Sequence, residues 1–348
     1  MDFTFGVCTY NSESYVINTL ESIRFQIVNF SKNINCFLVI SDDSSSDHTV
    51  CYIQNWLNLN SKLFAGVKLL THKNNKGIAN SYADLIQNIH TELFIKIDGD
   101  DLLCSENIFE KCLDLKKDEC RIYVPFIFKS DAKVSVRDPD AMNSFYYSTK
   151  QFYNKDSLRL IETYKPFMTP QVIMTRSNFS DECLEFLRNF TQFEDDTTIW
   201  FIFKNNPNIK LKYFLTPLVL YRIQDKSLSN GLESIHQIQF LDDLHNLKKI
   251  MFKSSCSFCS KFFLMSAVWE TFLMKHRFAA DNCLHRKIFT HHRNRIRRRL
   301  ENDEKFSIFL NQLDLLCKRE TLYLKKIIES SKEFCEEAAK TLAACGIK

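Results

Sequence analysis

The sequence predicts an α/β fold: a mostly parallel sheet with helices on both faces, followed by an α-helical subdomain. Three observations predict it. Apolar runs of strand length alternate with helical patterns, the connections between them are short, and polar residues gather where the apolar runs end. Beyond about residue 230 the pattern changes to long helical stretches rich in Phe, Lys and Arg. We therefore expect one domain over residues 1–230 and a basic helical region over residues 231–348.

The first hundred residues hold strands and helices in strict alternation. The strands are continuous apolar runs, which is typical of strands buried on both faces of a parallel sheet. In the first helix Val16, Leu20, Ile23 and Ile27 recur at helical spacing, so one face of that helix is apolar. The predicted strands are 3–9, 36–41, 67–71 and 93–97, and the predicted helices are 13–30, 49–59 and 77–89.

The chain between residues 106 and 230 is less regular. Residues 130–170 are polar and irregular, and long segments of this kind inside an α/β domain are usually functional or mobile. The pattern predicts helices over 106–118 and 197–204, and strands over 121–129, 169–175 and 210–222.

Charge divides the chain at the same point. The net charge is +4, but residues 1–230 carry 25 Lys and Arg against 28 Asp and Glu, while residues 231–348 carry 21 against 14. Most of the excess lies in the basic run 285–299, which indicates a solvated helix face or peripheral contact with an anionic membrane. No recognised nucleic-acid-binding fold accompanies this run, so we expect no nucleic-acid partner. The apolar segments 262–264 and 269–274 indicate the core of the helical region or a homo-oligomer contact.

The cysteines and the start of the chain favour a reducing compartment. Thirteen cysteines, several inside apolar runs, fit buried thiols better than a disulfide framework. Cys256 and Cys259 form a single CxxC pair without the second pair of a zinc ribbon. The chain starts on a strand-like run rather than a basic leader, and the longest apolar stretch, 262–274, is too short to span a bilayer. We expect a cytoplasmic protein that is soluble or peripheral at the inner face of the cytoplasmic membrane.

Three acidic clusters follow predicted strands or precede a helix. Residues 41–47 read either as an Asx-rich turn that caps the next helix or as a ligand site. Three carboxylates within residues 98–101 repel one another unless a cation compensates, which favours Mg2+ or Mn2+ held together with phosphate oxygens. Residues 194–196 suit a helix N-terminus, but a carboxylate apart from the metal cluster also suits a general base.

These clusters, with three further motifs, carry a family resemblance. The motifs are Thr9-Tyr10-Asn11, residues 42–49, Asn75-Lys76-Gly77, Asp98-Gly99-Asp100-Asp101, Glu194-Asp195-Asp196, and Tyr221-Arg222 followed by Ser227-Leu228-Ser229. Their order and spacing resemble the GT-A glycosyltransferases of family 2 over about residues 1–230. The resemblance implies a Rossmann-like GT-A catalytic domain.

The resemblance also implies an activity. Enzymes of this family transfer a sugar from a nucleotide-sugar donor with inversion, here with a UDP-sugar as the first choice of donor and Mn2+ or Mg2+ as cofactor. The acceptor is expected to be a hydroxyl of a saccharide or a lipid-linked saccharide, in the synthesis of bacterial surface polysaccharide (lipopolysaccharide or capsule) or glycolipid. Two other functions stay open: a non-catalytic sugar-nucleotide-binding or scaffold protein of the same fold, and a sugar-nucleotide nucleotidyltransferase. The latter usually has a Gly-rich loop after its first strand, where this chain has Gly6 alone.

Placed on this sequence, the resemblance assigns roles to named residues. Asp195 is expected to be the general base, with Glu194 and then Asp196 as the alternatives. Asp100 is expected to hold the metal ion, and Asp98 to contact the ribose or the metal. The donor-binding residues that the resemblance implies are Thr9, Tyr10, Asn11, Glu13, Asp42, Asp43, Asn75, Lys76, Gly77, Asp98, Gly99 and Arg222.

One position departs from the family pattern. Many relatives carry an Arg on the third helix where this chain has Tyr82. Cationic help for the donor must then come from elsewhere, and Lys73, Lys76 and Arg222 are the candidates.

Overall fold

The computed structural model describes residues 1–136, 158, 161–162, 171–224, 235–276, 284–300 and 303–344. Over these residues the strands are β1 (Asp2–Thr9), β2 (Asn35–Asp42), β3 (Gly66–Thr71), β4 (Leu93–Asp98), β5 (Leu102–Leu103), β6 (Glu119–Phe128), β7 (Val134–Val136), β8 (Val172–Ile173) and β9 (Lys210–Arg222). The helices are α1 (Val16–Phe30), α2 (Thr49–Asn60), α3 (Ile78–Gln87), α4 (Ile108–Cys112), α5 (Asp181–Leu187), α6 (Asp195–Asn205), α7 (Ile235–Ser254), α8 (Phe258–Lys275), α9 (Leu284–Leu300) and α10 (Glu304–Ala344).

A four-stranded parallel sheet forms the centre of the first half of the chain. Its strand order is β3-β2-β1-β4, and β1 is buried from its second residue to its last, as a strand covered on both faces should be. Thr9 lies opposite Asp42 on β2, and Cys8 lies opposite Asp98 on β4. The carboxyl ends of three strands are therefore level, and the polar residues that follow them share one edge. The predicted parallel sheet is confirmed.

Helices cover both faces of this sheet. Leu20 and Ile23 of α1 are buried in one apolar cluster, which also holds Trp56 of α2. Leu85 and Ile86 of α3 are buried in a second cluster, and α3 packs against β1 and β2. The predicted layering, with helices on both faces, is thus confirmed.

A second, mixed sheet was not predicted. Its order is β5-β9-β6-β7, with β8 also paired to β6; β6 and β9 run parallel, and the other pairs are antiparallel. The helix predicted over residues 106–118 is wrong in length, because α4 spans five residues. Asn107 caps its start by accepting hydrogen bonds from two backbone N–H groups, and Asp114 adopts a φ of 57°, which cannot continue a helix.

The chain beyond residue 235 is helical in its described parts, as predicted. Helices α7 and α8 pack against each other, while the long α10 returns to pack on α1 and β7. The buried carboxylate of Glu320 accepts hydrogen bonds from the backbone N–H and the hydroxyl of Ser105, and the Tyr323 ring lies 4.8 Å from the ring of Phe25. The predicted domain boundary at residue 230 lies outside the described residues. Among the described helices, none is both long and apolar enough to cross a membrane.

Candidate active site at the edge of the parallel sheet

The ends of β1 and β2 are tied together by Asp42. Its carboxylate is buried and accepts hydrogen bonds from Thr9 Oγ1 and from the backbone N–H of Ser45, both at 2.9 Å. Asn11, with a φ of 46°, accepts from the backbone N–H of Ser46 at 2.9 Å. These bonds close the loop after β2 onto the loop after β1. They leave the ring of Tyr10 43% exposed beside the two loops, as an aromatic surface on which a nucleotide base can stack.

The carboxylates of Glu13 and Asp43 hold neighbouring loops at this edge by accepting backbone hydrogen bonds. Glu13 Oε2 accepts from the backbone N–H of His48 at 2.9 Å. Asp43 is buried and accepts from the backbone N–H groups of Lys76 and Gly77 at 2.8 and 2.9 Å. Burial raises the pKa of Asp43, and these two bonds partly offset the effect. The loop that holds Asn75, Lys76 and Gly77 is therefore fixed to the end of β2.

Gly77 is required where it stands. Its φ is 84°, and a Cβ there would lie 2.3 Å from the carbonyl oxygen of Thr191. That same oxygen accepts a hydrogen bond from Ala79 N at 3.1 Å. Thr191 lies three residues before Glu194, so the contact joins the loop before α3 to the segment that carries the predicted base.

The acidic loop after β4 approaches β1 closely. Gly99 N donates to the carbonyl oxygen of Cys8 at 2.8 Å, and a Cβ on Gly99 would lie 2.7 Å from Thr9 Cγ2. A side chain at this position would push the loop away from the sheet. Gly99 thus holds Asp98 and Asp100 at the same edge as Thr9.

Arg222, at the end of β9, is hydrogen-bonded to the acidic loop that follows β4. Its backbone N–H donates to Asp101 Oδ1 and its Nε to the carbonyl oxygen of Asp100, both at 2.8 Å. The guanidinium lies 4.4 Å from the ring centres of Tyr15 and of Phe128. Within the described residues, Nη2 of this buried guanidinium has no hydrogen-bond partner. An unused buried donor in this position suits a phosphate oxygen. The partner segment Ser227-Leu228-Ser229 lies outside the described residues.

A lysine that the sequence reasoning missed lies at the centre of the site. Lys96 Nζ is 2.8 Å from Asp98 Oδ1 and 3.4 Å from Glu194 Oε1, and it lies 5.3 Å from the centre of the Tyr82 ring. Burial lowers the pKa of Lys96, but the charges of Asp98, Glu194 and Asp195 outweigh burial and raise it well above the ordinary value. The surrounding carboxylates therefore favour the charged form of this lysine at neutral pH. A lysine inside the otherwise apolar strand 93–97 was the signal that could have revealed it.

The predicted base segment adjoins this lysine. Glu194 is buried and directly precedes α6, whose first residue is Asp195. A cavity of about 40 Å³ lies beside them, and Lys96, Tyr82 and Asp195 are among its lining residues. The structure thus brings Glu194 and Asp195 to the edge that holds Asp98.

The carboxylates of Asp98 and Asp100 suit a divalent cation shared with a diphosphate. Burial and the charge of Asp98 raise the pKa of Asp100 to about 6, and burial with the charges of Asp100 and Asp98 raises the pKa of Asp101 well above its ordinary value. Adjacent carboxylates repel one another when both are ionised, and a bound cation removes this repulsion. Over the described residues, no group of three His, Cys, Asp or Glu side chains is arranged to hold an ion. Two carboxylates completed by phosphate oxygens are the usual way of holding Mg2+ beside a nucleotide, so the donor set fits.

Comparison with known proteins defines the class of protein. The sequence pattern of glycosyl transferase family 2 matches residues 4–196, more than half of the chain. The chain belongs to this family, and it is a glycosyltransferase. No curated protein matches the chain.

Solved structures share the fold. S. aureus TarS 1-349 in complex with UDP-GlcNAc is 15% identical, with a TM-score of 0.52, over 81% of this chain and 74% of that one. The longer TarS chain is 15% identical, with a TM-score of 0.50, and the match covers 78% of this chain but 44% of TarS. The mannosyltransferase PcManGT from Pyrobaculum calidifontis, solved with GDP-Man and Mn2+, is 15% identical over 92% of this chain and 87% of that one, with a TM-score of 0.48. At these identities the likeness to TarS shows the fold alone.

Proposed function

We propose that the chain transfers a sugar from a UDP-sugar to a hydroxyl of a saccharide or lipid-linked acceptor, with inversion, in surface polysaccharide or glycolipid synthesis. The observation that supports this most is that Asp98 and Glu194 both lie within 3.4 Å of Lys96 Nζ. One carboxylate belongs to the predicted diphosphate side of the site and the other to the predicted acceptor side. Their proximity suits a single displacement between a bound donor and an acceptor hydroxyl.

The donor side of the proposal rests on the loops after β1, β2 and β4. Tyr10 supplies a surface for the base, and Asp42 and Asp43 hold the two loops between which the nucleoside lies. Arg222 supplies an unused buried donor for the diphosphate. When bound, a Mn2+ or Mg2+ ion held by Asp98 and Asp100 neutralises the charge that grows on the leaving diphosphate. That UDP-GlcNAc is bound by a structural neighbour supports a UDP-sugar as the first donor to test.

On the acceptor side we assign the general base to Asp195. Asp195 begins α6 beside Lys96 and lines the cavity there, and it is the position at which the family resemblance expects the base. Asp195 takes the proton of the acceptor hydroxyl as its oxygen bonds to the anomeric carbon, and the bond to the diphosphate oxygen breaks on the opposite face. An α-linked donor then gives a β-linked product. Glu194 remains the alternative base.

Donor binding and transfer are measured separately. Thermal unfolding with UDP-, GDP- and CMP-sugars and Mn2+ identifies the donor, because a donor at a hundred times its Kd stabilises the fold by about 2.7 kcal/mol. Release of the nucleoside diphosphate reports transfer. We expect the Asp195→Asn variant to keep the stabilisation by donor but to lose this release, and the Asp100→Asn variant to lose both. Asp114→Asn, on the exposed loop between α4 and β6, is the matched control and should lose neither.

Full transfer by both Asp195→Asn and Asp100→Asn would refute the proposed mechanism. Donor binding without turnover under any acceptor would instead favour the non-catalytic binding protein. The anomeric configuration of the product, read by NMR, tests inversion independently of these variants.

A further inference from the structure

Helix α8 carries an apolar stripe on its outer face. Five side chains between 36% and 84% exposed follow one another at alternating steps of four and three residues, so they lie in one line along the helix. We call this line the aromatic stripe. It consists of Phe258, Phe262, Met265, Trp269 and Phe272.

The stripe is separate from the face that packs α8 into the molecule. Leu264 and Ala267 are buried on that other face, and α8 packs there against α7. Trp269 and Phe272 stack on each other at 5.5 Å between ring centres while still exposed. The predicted use of segments 262–264 and 269–274 as core is therefore wrong for the members that form the stripe.

The surroundings of the stripe are cationic. The other exposed side chains described on α8 are Lys261 and Lys275, with His276 directly after it. Lys275 pairs with Asp242 of α7 at 2.5 Å, and the acidic Glu270 of α8 is buried. Helix α9 packs directly against α8, and the segment 284–300 contains no Asp or Glu. Its described cations, all exposed, are Lys287, Arg295, Arg297 and Arg298.

We propose that the aromatic stripe and α9 form a docking surface for an anionic lipid bilayer. An apolar stripe with a tryptophan suits the boundary between headgroups and acyl chains, and the adjoining cations suit anionic headgroups. A second copy of the chain suits this surface less well, because two such faces would bring like charges together. The inference does not depend on the proposed donor or acceptor. It extends the membrane contact expected of the basic run 285–299 to a defined apolar surface on α8.

Tryptophan fluorescence of the unmodified chain reads the docking directly. The chain has three tryptophans; Trp269 is 59% exposed, whereas Trp56 and Trp200 are 0% and 3% exposed. On vesicles of phosphatidylcholine with phosphatidylglycerol, we expect the emission maximum to shift to the blue and brominated lipid to quench it. Vesicles of phosphatidylcholine alone should give neither effect. These measurements need no sugar donor, so their failure is distinguishable from a failure of the proposed transfer.

Variants separate the two parts of the surface. Arg295→Gln with Arg298→Gln should lower partitioning onto anionic vesicles by about 25-fold, at roughly fivefold per cation. Phe262→Ser with Trp269→Ser should lower it by at least about tenfold. Leu59→Ser, which alters an exposed leucine on α2, is the matched control and should leave partitioning unchanged.

Two results would overturn the inference. One is equal behaviour of the unmodified chain on neutral and anionic vesicles, with an unchanged emission maximum and no quenching. The other is a dimer in sedimentation equilibrium that Phe262→Ser with Trp269→Ser dissociates, because that would assign the stripe to a second copy.

Discussion

Replacing Lys96 by Met tests whether a buried charge holds the site together. The side chains of Lys96 and Glu194 are each 9% exposed and that of Asp98 is 23% exposed, so the substitution leaves two carboxylates with little solvent to replace the ammonium. Met has a similar length and keeps the apolar contacts of the lysine stem. The substitution therefore removes mainly the charge.

The magnitude follows from burial. Breaking a buried ion pair by removing one partner costs about 3–5 kcal/mol, and the partial exposure of Asp98 places this case at about 3 kcal/mol. At about 2–4 °C per kcal/mol for a domain of this size, Tm should fall by roughly 6–12 °C. Lys68→Met is the matched control, because Lys68 is an exposed lysine on a strand of the same sheet that donates to Asn88. It should change stability by no more than about 0.5 kcal/mol.

Thermal unfolding gives the change in Tm, and urea unfolding gives the change in the free energy of unfolding. A double-mutant cycle then tests whether Glu194 is the partner of Lys96. In the Lys96→Met background, Glu194→Gln should cost less than it does alone, because Glu194 no longer has a cation to lose. A loss for Lys96→Met no larger than that for Lys68→Met, or full additivity with Glu194→Gln, would refute the role given to Lys96.

Three further predictions concern other parts of the molecule. Mn2+ with UDP should raise the Tm of the unmodified chain but not of Asp100→Asn; equal shifts in calorimetry would contradict the metal assignment. Burial raises the pKa of Cys104 to about 12, so its thiol stays protonated and unreactive at pH 8. Mass spectrometry should find iodoacetamide on the exposed Cys256 and not on Cys104, unless the fold opens. Gly77→Ala should cost about 2–3 kcal/mol in urea unfolding, since its φ of 84° is strained for alanine and a carbonyl oxygen occupies the Cβ position. Gly66→Ala, where a Cβ meets only a phenylalanine side chain at 3.1 Å, should cost clearly less.

The parallel sheet could be predicted because its strands are buried on both faces. Such strands appear as continuous apolar runs, and their polar ends mark one edge of the sheet, where Asp42, Asp98 and Glu194 indeed lie. The second sheet could not be predicted in this way. The parallel pairing of β6 with β9 joins residues about ninety positions apart, with shifts in register, and nothing in either segment specifies its partner.

Site residues could be predicted where they lie together in one short segment of the sequence. They could not be predicted where the site depends on contacts between distant segments. Asp98 and Asp100 belong to one loop and were found. Lys96 was missed because its importance comes from Glu194, which is 98 residues away. The family resemblance assigned Arg222 to donor binding, which stays a prediction. Neither its hydrogen bonds to the acidic loop nor its stacking between two rings was expected.

The return of α10 to α1 ties the folding of this chain to its synthesis. Phe25 leaves the ribosome about 300 residues before Tyr323, the ring that covers it. At a synthesis rate of about 5–20 residues per second, α10 is made roughly 15–60 s after the part of α1 that it covers. The backbone N–H of Ser105 likewise lacks its acceptor until Glu320 has been synthesised. The nascent chain therefore exposes the apolar face of α1 near Phe25 until α10 has been synthesised, and its yield in cells should depend on chaperones that shield that face.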